Sequence, residues 1–219
     1  MSKFHEISLD SITLSEYHNK KIVISDENKK LIKFQIPRMY IPFGISGFTP
    51  EVGATKWNIE FSMKGFDEED NYVKKFYDYL KKIEEKVITF VHDNSQTIFG
   101  SQKSLLQIQD MFNSNIKESP NREPKFRVKV DTSMDGKIKP AIFDSEKSRI
   151  DVELENGIFS RKSGTAIVEI NSVYFLNKKF GITWKLNQMK VFEPQRLKGF
   201  HMMVDEDESE NLSGFSFRV

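Results

Sequence analysis

Three cations alternate with apolar side chains in one short stretch of the sequence. The cations are Lys125, Arg127 and Lys129, and the residues that follow each of them are Phe126, Val128 and Val130. In a β-strand this alternation places the cations on one face, about 7 Å apart, and the apolar side chains on the other. That spacing is close to the phosphate spacing of an extended single strand of nucleic acid. The pattern is typical of a phosphate-binding row, and equally of a solvated strand face over a core.

Aromatic and basic residues also share a predicted hairpin over 165–192. Tyr174 precedes its turn, Lys178 and Lys179 lie in the turn, and Trp184 and Lys185 follow on the return strand. Exposed rings stack on any nucleobase, at ~1–3 kcal/mol each, while neighbouring cations hold the backbone. We expect Tyr174 and Trp184 to be the leading stacking residues, with core packing as the alternative for any single ring.

The two segments together predict a DNA-binding site. Arg161 and Lys162 precede the hairpin, and we expect their charges near the same end as the turn at 177–181. The predicted DNA-binding residues are Lys125, Arg127, Lys129, Arg161, Lys162, Tyr174, Lys178, Lys179, Trp184 and Lys185.

No catalytic or metal-binding motif accompanies these residues. The sequence has no cysteine and contains no glycine-rich phosphate loop, dinucleotide fingerprint, nucleophile elbow or His-Glu-x-x-His motif. Its four histidines are widely separated. We therefore predict a protein that is not an enzyme and uses no cofactor or metal. The N-terminus lacks an apolar signal core and no apolar run is long enough to span a membrane, so we expect neither secretion nor membrane insertion.

A net charge of +1 conceals an uneven charge distribution. Residues 205–219 hold five acids and one base, a net charge of −4, which leaves +5 on residues 1–204. The predicted partner-binding tail residues are Asp205, Glu206, Asp207, Glu208, Glu210, Phe215 and Phe217. Such a tail is either solubilising or a competitor of polyanions for a basic face. The two phenylalanines favour the second role, because a purely solvating tail has no use for exposed rings.

Periodicity places these residues on a mainly β fold with inserted helices. Residues 20–36 predict two short strands, and 57–64 another. The prolines and glycines of 37–53 predict a loop or interrupted edge strand. The strongest helix signal runs from Val73 to Phe90 behind the acidic run 67–70, and a second helix is predicted over 102–112. From 125 onward, including 149–154, the pattern predicts a curved antiparallel sheet or barrel.

Two segments resemble a known family. They are Ile-Pro-Arg-Met-Tyr-Ile-Pro-Phe-Gly-Ile at 36–45 and the stretch at 172–191, which includes Phe-Gly-Ile-Thr-Trp-Lys-Leu-Asn-Gln. They look like single-stranded DNA-binding proteins of nucleocytoplasmic large DNA viruses and, more distantly, acidic-tailed phage single-stranded DNA-binding proteins. The phage tails end on an aromatic residue, whereas here Arg218-Val219 follow Phe217.

The resemblance implies a five-stranded OB-fold barrel in a domain spanning 1–200, with a helical insertion at about 68–117, and a flexible acidic tail at 201–219. It implies sequence-independent binding of single-stranded DNA in viral replication, recombination or repair, in the host cytoplasm or the nucleus. It also implies homodimerisation and tail contacts with DNA polymerase or other replication proteins.

A different class of function also fits the composition. A body charge of only +5 is modest for a nucleic-acid binder, so a β-barrel protein-interaction or virion structural module is the alternative. The two hypotheses differ in one structural respect. Clustering of the bases of 125–129, 161–162 and 178–185 on one concave face favours DNA binding, and scattering favours the module.

Overall fold

The computed structural model describes residues 2–194 of the 219-residue chain. Its helices are α1 (Tyr72–Asp93), α2 (Ser95–Phe99) and α3 (Leu105–Met111), and a 3-10 helix spans Phe4–Glu6. Its strands are β1 (Ser2–Lys3), β2 (Thr13–Leu14), β3 (Lys21–Ser25), β4 (Ile32–Gln35), β5 (Met39–Ile41), β6 (Ile45–Phe48), β7 (Lys56–Ser62), β8 (Ile116–Ser119), β9 (Arg122–Val130), β10 (Ala141–Phe143), β11 (Lys162–Leu176) and β12 (Lys179–Phe192). The acidic tail predicted at 201–219, with its partner-binding residues, lies outside the described residues.

Five of these strands close into a barrel. β5 pairs with β7, β7 with β9, β9 with β12, β12 with β11, and β11 returns to β5. The β9–β12 pair is parallel and the other four pairs are antiparallel. The three helices lie between β7 and β8 in the chain. This is the architecture of an OB-fold barrel with a helical insertion, so the predicted fold class is confirmed.

The hairpin β11–β12 provides the two longest strands of the barrel. Asn177 and Lys178 form its turn, with φ angles of 50° and 60°, which suit the type I′ turn that matches strand twist. The observed turn is shorter than the turn predicted over 177–181, because Lys179 already pairs with Leu176. Register shifts near 167–168 and 170–172 mark bulges, which let long strands bend around a barrel.

The indole ring of Trp184 lies in the barrel interior. Only 2% of the residue is exposed, and its ring meets Phe34 and Phe126 edge-on at centroid distances of 5.8 and 5.2 Å. Trp184 shares a strand face with the buried Ile182 and Leu186, because alternate residues of a strand point the same way. The prediction that Trp184 stacks on nucleobases is therefore wrong, since no face of its indole is open.

Helix α1 packs its apolar stripe on the same aromatic cluster. The ring of Phe76 lies 5.5 Å from Phe126, and the ring of Tyr79 lies 5.8 Å from Phe34. Asn71 caps the helix by accepting a hydrogen bond from the backbone N–H of Val73, so the acidic run 67–70 precedes the first turn instead of occupying it. Among the described residues, no helix combines the length and apolarity needed to cross a membrane.

Two predicted segments take other structures. Residues 149–154 are not a strand, and the described contacts give them a single bridge, from Arg149 to Phe143. Their alternating apolar residues pack against the core from a loop instead. The stretch 37–53, predicted as a loop or interrupted edge strand, contains the two short strands β5 and β6, and β5 is no edge strand because it closes the barrel by pairing with both β11 and β7. Long-range partners decided both outcomes, because a short β-pattern forms a strand only where another strand is available to pair with it.

Replacing Trp184 with alanine is expected to lower the free energy of unfolding by about 3–5 kcal/mol, because it leaves a cavity between Phe34 and Phe126. Urea denaturation monitored by circular dichroism measures the change. Tyr79→Phe is the matched control, since the buried Tyr79 hydroxyl has no hydrogen-bond partner among the described residues and burial raises its pKa to about 12. Its removal should be neutral or stabilising. A Trp184→Ala protein as stable as the wild type would contradict this packing.

Candidate nucleic-acid interface

The outer surface of β7 and β9 carries a row of cations. Lys125, Arg127 and Lys129 point outward, opposite Ser62, Glu60 and Asn58 of β7, while Phe126, Val128 and Val130 are buried. This confirms the alternation predicted from the sequence. Lys185 of β12 pairs with Lys129, and Lys117 of β8 pairs with Lys125. With Lys56 of β7, these six cations and the acids Glu60 and Asp131 form what we call the basic face.

Two carboxylates hold four of the cations. Glu60 accepts hydrogen bonds from Nε of Arg127 at 2.8 Å and from its Nη2 at 2.5 Å, and lies 3.3 Å from Nζ of Lys125. Asp131 lies 2.7 Å from Nζ of Lys129 and 2.8 Å from Nζ of Lys185. Partial burial opposes ionisation of Asp131, but hydrogen bonds from these two lysines outweigh it and lower the pKa of the carboxyl.

A groove of about 330 Å³ opens between β9 and the hairpin β11–β12. It is lined by Lys56, Asn58, Asn113, Ser114, Asn115, Lys117, Arg127, Lys129, Tyr174, Ile182, Thr183 and Trp184. Four of these residues are cations and none is an acid. The groove therefore presents positive charge, amide groups and one half-buried tyrosine ring, which together suit a phosphate and an attached base.

Tyr174 lies flat across β12 because Gly181 leaves room for it. A Cβ atom at Gly181 would come within 2.8 Å of the Tyr174 hydroxyl and 2.7 Å of the Asn113 carbonyl oxygen. The Tyr174 hydroxyl accepts a hydrogen bond from Nδ2 of Asn113 at 3.0 Å. The predicted stacking residue Tyr174 thus belongs to the groove, in an orientation fixed by a glycine on the neighbouring strand.

Helix α1 anchors the floor of the groove through Glu84. This buried carboxylate accepts hydrogen bonds from Oγ of Ser114 at 2.7 Å and from the backbone N–H of Asn115 at 3.2 Å. Burial raises the pKa of Glu84, although these bonds and the charge of Lys81 oppose the shift. Burial and the nearby charge of Arg127 lower the pKa of Lys117. The helical insertion therefore positions the groove as well as filling the core.

Three exposed aromatic rings beside the basic face were not among the predicted site residues. Tyr40 is 47% exposed and pairs with Ser62 of β7. Phe43 is 52% exposed, and Nζ of Lys125 lies 4.7 Å from the centroid of its ring. Phe48 is 67% exposed and pairs with Lys56. All three lie in the Pro- and Gly-rich stretch 37–53. The signal that could have identified them was the presence of rings in a stretch with too little regular periodicity to bury them.

The remaining predicted cations lie elsewhere. Lys162 pairs with Ile41, and its Nζ lies 2.5 Å from Oε1 of Glu193. This is the end of the hairpin opposite its turn, so the expectation that Arg161 and Lys162 lie near the turn is wrong. Lys178 and Lys179 line a separate groove at the hairpin tip with Tyr17 and Phe99. The predicted DNA-binding role of these four cations stays a prediction. In residues 2–194, no group of three or more His, Asp or Glu side chains is arranged to hold a metal ion.

Comparison with known proteins gives one family match and one curated relative. The sequence model of a family of unknown function (DUF5871) matches residues 64–203. An uncharacterized protein, L291, of Acanthamoeba polyphaga mimivirus is 26% identical over 204 residues, which cover 86% of this chain and 31% of that protein. The chain thus spans about a third of the length of this curated relative.

Two solved structures of bacteriophage proteins match most of the chain at low sequence identity. The crystal structure of gp2.5, a single-stranded DNA-binding protein of bacteriophage T7, matches with 11% identity and a TM-score of 0.48, covering 86% of this chain and 98% of that one. The single-stranded DNA-binding protein of bacteriophage Enc34, solved in complex with single-stranded DNA, matches with 10% identity and a TM-score of 0.42, covering 88% and 99%.

Glu84→Gln is expected to stabilise the protein increasingly as the pH rises. The glutamine oxygen still accepts from Ser114 and Asn115, but the buried charge is gone. Because the pKa of Glu84 is raised in the folded state, the stability that its proton contributes is present at low pH and lost as the pH rises through that pKa. Urea midpoints of variant and wild type should therefore diverge as the pH rises above the ordinary pKa of a glutamate. Glu85→Gln, on the exposed side of α1, is the control, and a constant gap for Glu84→Gln would contradict the assignment.

Proposed function

The chain belongs to the family of unknown function DUF5871, and from the geometry of its basic face we propose that it binds single-stranded DNA without sequence preference. One observation carries the proposal. The six cations of the basic face lie beside three exposed aromatic rings and a charged groove of nucleotide size on a closed barrel. This combination of a backbone-tracking row and stacking surfaces is what sequence-independent single-strand binding requires.

The proposed mechanism divides phosphates and bases between two sets of side chains. Phosphates contact Lys56, Lys117 and the cations of β9. The spacing of the β9 cations along the strand matches the phosphate spacing of an extended nucleic-acid strand. Bases stack on Phe43 and Phe48 at one side and on Tyr174 in the groove. A stacked ring does not distinguish one base from another, so the binding tolerates any sequence.

We place this activity in viral DNA replication, recombination or repair. The resemblance of residues 36–45 and 172–191 to single-stranded DNA-binding proteins of large DNA viruses supports that setting. The acidic tail at 205–219 would occupy the basic face when DNA is absent, and would recruit DNA polymerase or another replication protein when DNA displaces it. The charge of −4 on the tail against +5 on the rest of the chain supports such competition.

Fluorescence anisotropy of a labelled oligo-dT strand of about 30 nucleotides, long enough for at least one OB-fold site, tests the proposal. The titration is run at several salt concentrations and compared with the matching duplex and an RNA strand. Salt-sensitive binding that favours the single strand is the expected result. Absence of binding to all three, with and without residues 205–219, would contradict the proposal and favour a protein-interaction or virion structural module.

The double variant Phe43→Ala, Phe48→Ala is expected to bind oligo-dT at least about tenfold more weakly, because each lost stacking contact is worth ~1–3 kcal/mol. The slope of log affinity against log salt should stay unchanged, since no phosphate contact is removed. Leu31→Ala, at an exposed apolar residue outside the basic face, is the matched control. Wild-type affinity in the double variant would place the stacking surface elsewhere.

Removal of residues 205–219 is expected to tighten binding to oligo-dT, most strongly at low salt, because a competing polyanion is lost. The same anisotropy titration measures the effect, with a chain in which the five acids of 205–210 are replaced by their amides as the matched control. Both proteins should bind more tightly than the wild type. Unchanged or weaker affinity in the truncated protein would contradict the competition.

A further inference from the structure

We infer that Glu60 and Asp131 make the basic face selective for a single strand over a duplex. The inference rests on the proposed function and names two carboxylates as its specificity determinants. Glu60 lies opposite Arg127 and Asp131 follows the last cation of β9, and each is shared by two cations that the sequence predicts to bind phosphate. A surface designed only for phosphate affinity would have no acid at these positions.

The ion pairs of these carboxylates lie at the surface of the barrel. The side chains of the four cations are between 21% and 47% exposed, and partly exposed ion pairs contribute little to folding. Glu60 and Asp131 are themselves 10% and 26% exposed, so the cations cover them from solvent. The acids therefore act mainly on whatever approaches the cations from outside.

The geometry of Arg127 limits how it can bind phosphate. Glu60 already accepts from its Nε and Nη2 donors, so one of the two bidentate edges of the guanidinium is taken. A phosphate can approach only through the remaining N–H groups, and it then lies close to the Glu60 carboxylate. Lys129 and Lys185 are both paired with Asp131. A phosphate contact to any of these four cations is therefore weakened by a fixed negative charge.

A duplex suffers more from this arrangement than a single strand does. Duplex DNA carries one charge per ~1.7 Å of axis on a stiff double backbone, and cannot steer its phosphates around two fixed acids. A single strand is flexible and can place phosphates between the acids. It also exposes the Watson–Crick N–H donors of its bases, which can donate to carboxylates and which a duplex uses in base pairs. The two acids thus lower the affinity for a duplex more than the affinity for a single strand.

The test compares Glu60→Gln, Asp131→Asn and the double variant with the wild type. Affinities for a mixed-sequence strand of about 30 nucleotides and for its blunt duplex are measured by anisotropy at two salt concentrations. The double variant should bind the duplex at least about tenfold more tightly, and the single strand no more than about threefold more tightly, so the strand-to-duplex preference falls. Glu27→Gln, at an exposed acid in the turn between β3 and β4, changes the net charge by the same amount as each single variant and should leave the preference unchanged.

The outcomes separate the inference from the proposed function. If the wild type binds the strand and both single variants, folded by thermal denaturation, keep its strand-to-duplex preference, the inference is overturned and the proposed function stands. A preference that falls equally in Glu27→Gln also overturns it, because net charge alone then explains the effect. If the wild type binds no nucleic acid, the proposed function fails and the inference fails with it.

Discussion

Closure of the barrel through the hairpin β11–β12 is the constraint on which the rest of the structure depends. β12 pairs with β11, β9 and β10, and β11 pairs with β3, β4, β5 and β12, so five of the other ten described strands pair directly with one of the two. Their inward side chains meet around Trp184, which contacts rings from β4 and β9 edge-on. Because the interior is filled by apolar residues at alternate positions, the intervening polar residues have only the outside available. The cations of β9 in the basic face are these outward-facing residues.

The helical insertion couples the core to the surface. α1 contributes Phe76 and Tyr79 to the aromatic cluster, and its Glu84 holds Ser114 and Asn115 at the floor of the groove. The groove is consequently assembled from β7, β9, the hairpin and the segment after α3, none of which could form it alone. A substitution that displaces α1 would therefore also displace Ser114 and Asn115 in the groove, because Glu84 accepts hydrogen bonds from both.

The basic face owes its positive potential to local arrangement, since the whole chain has a net charge of only +1. Register brings Lys125, Lys117 and the cations of β9 and β12 together, while Glu60 and Asp131 partly neutralise them. Acids that neutralise part of the positive charge make such a surface less attractive to polyanions than cations alone would.

The sequence by itself determined the local features of the protein. The structure contains the predicted alternation at 125–130, the helix from Val73 to Phe90 and the two short strands within 20–36. Such periodicities can be predicted because they reflect which side of a single element is apolar. Only the tertiary structure decided which rings are covered. Trp184 and Tyr174 lie on the same hairpin with similar neighbours, yet the indole of Trp184 is buried in the barrel and the ring of Tyr174 stays half-buried at the groove. The exposure of Phe43 and Phe48 and the pairing of Glu60 with Arg127 likewise depend on strand partners many residues away. Burial and pairing are properties of contacts between distant segments, and no local pattern records them.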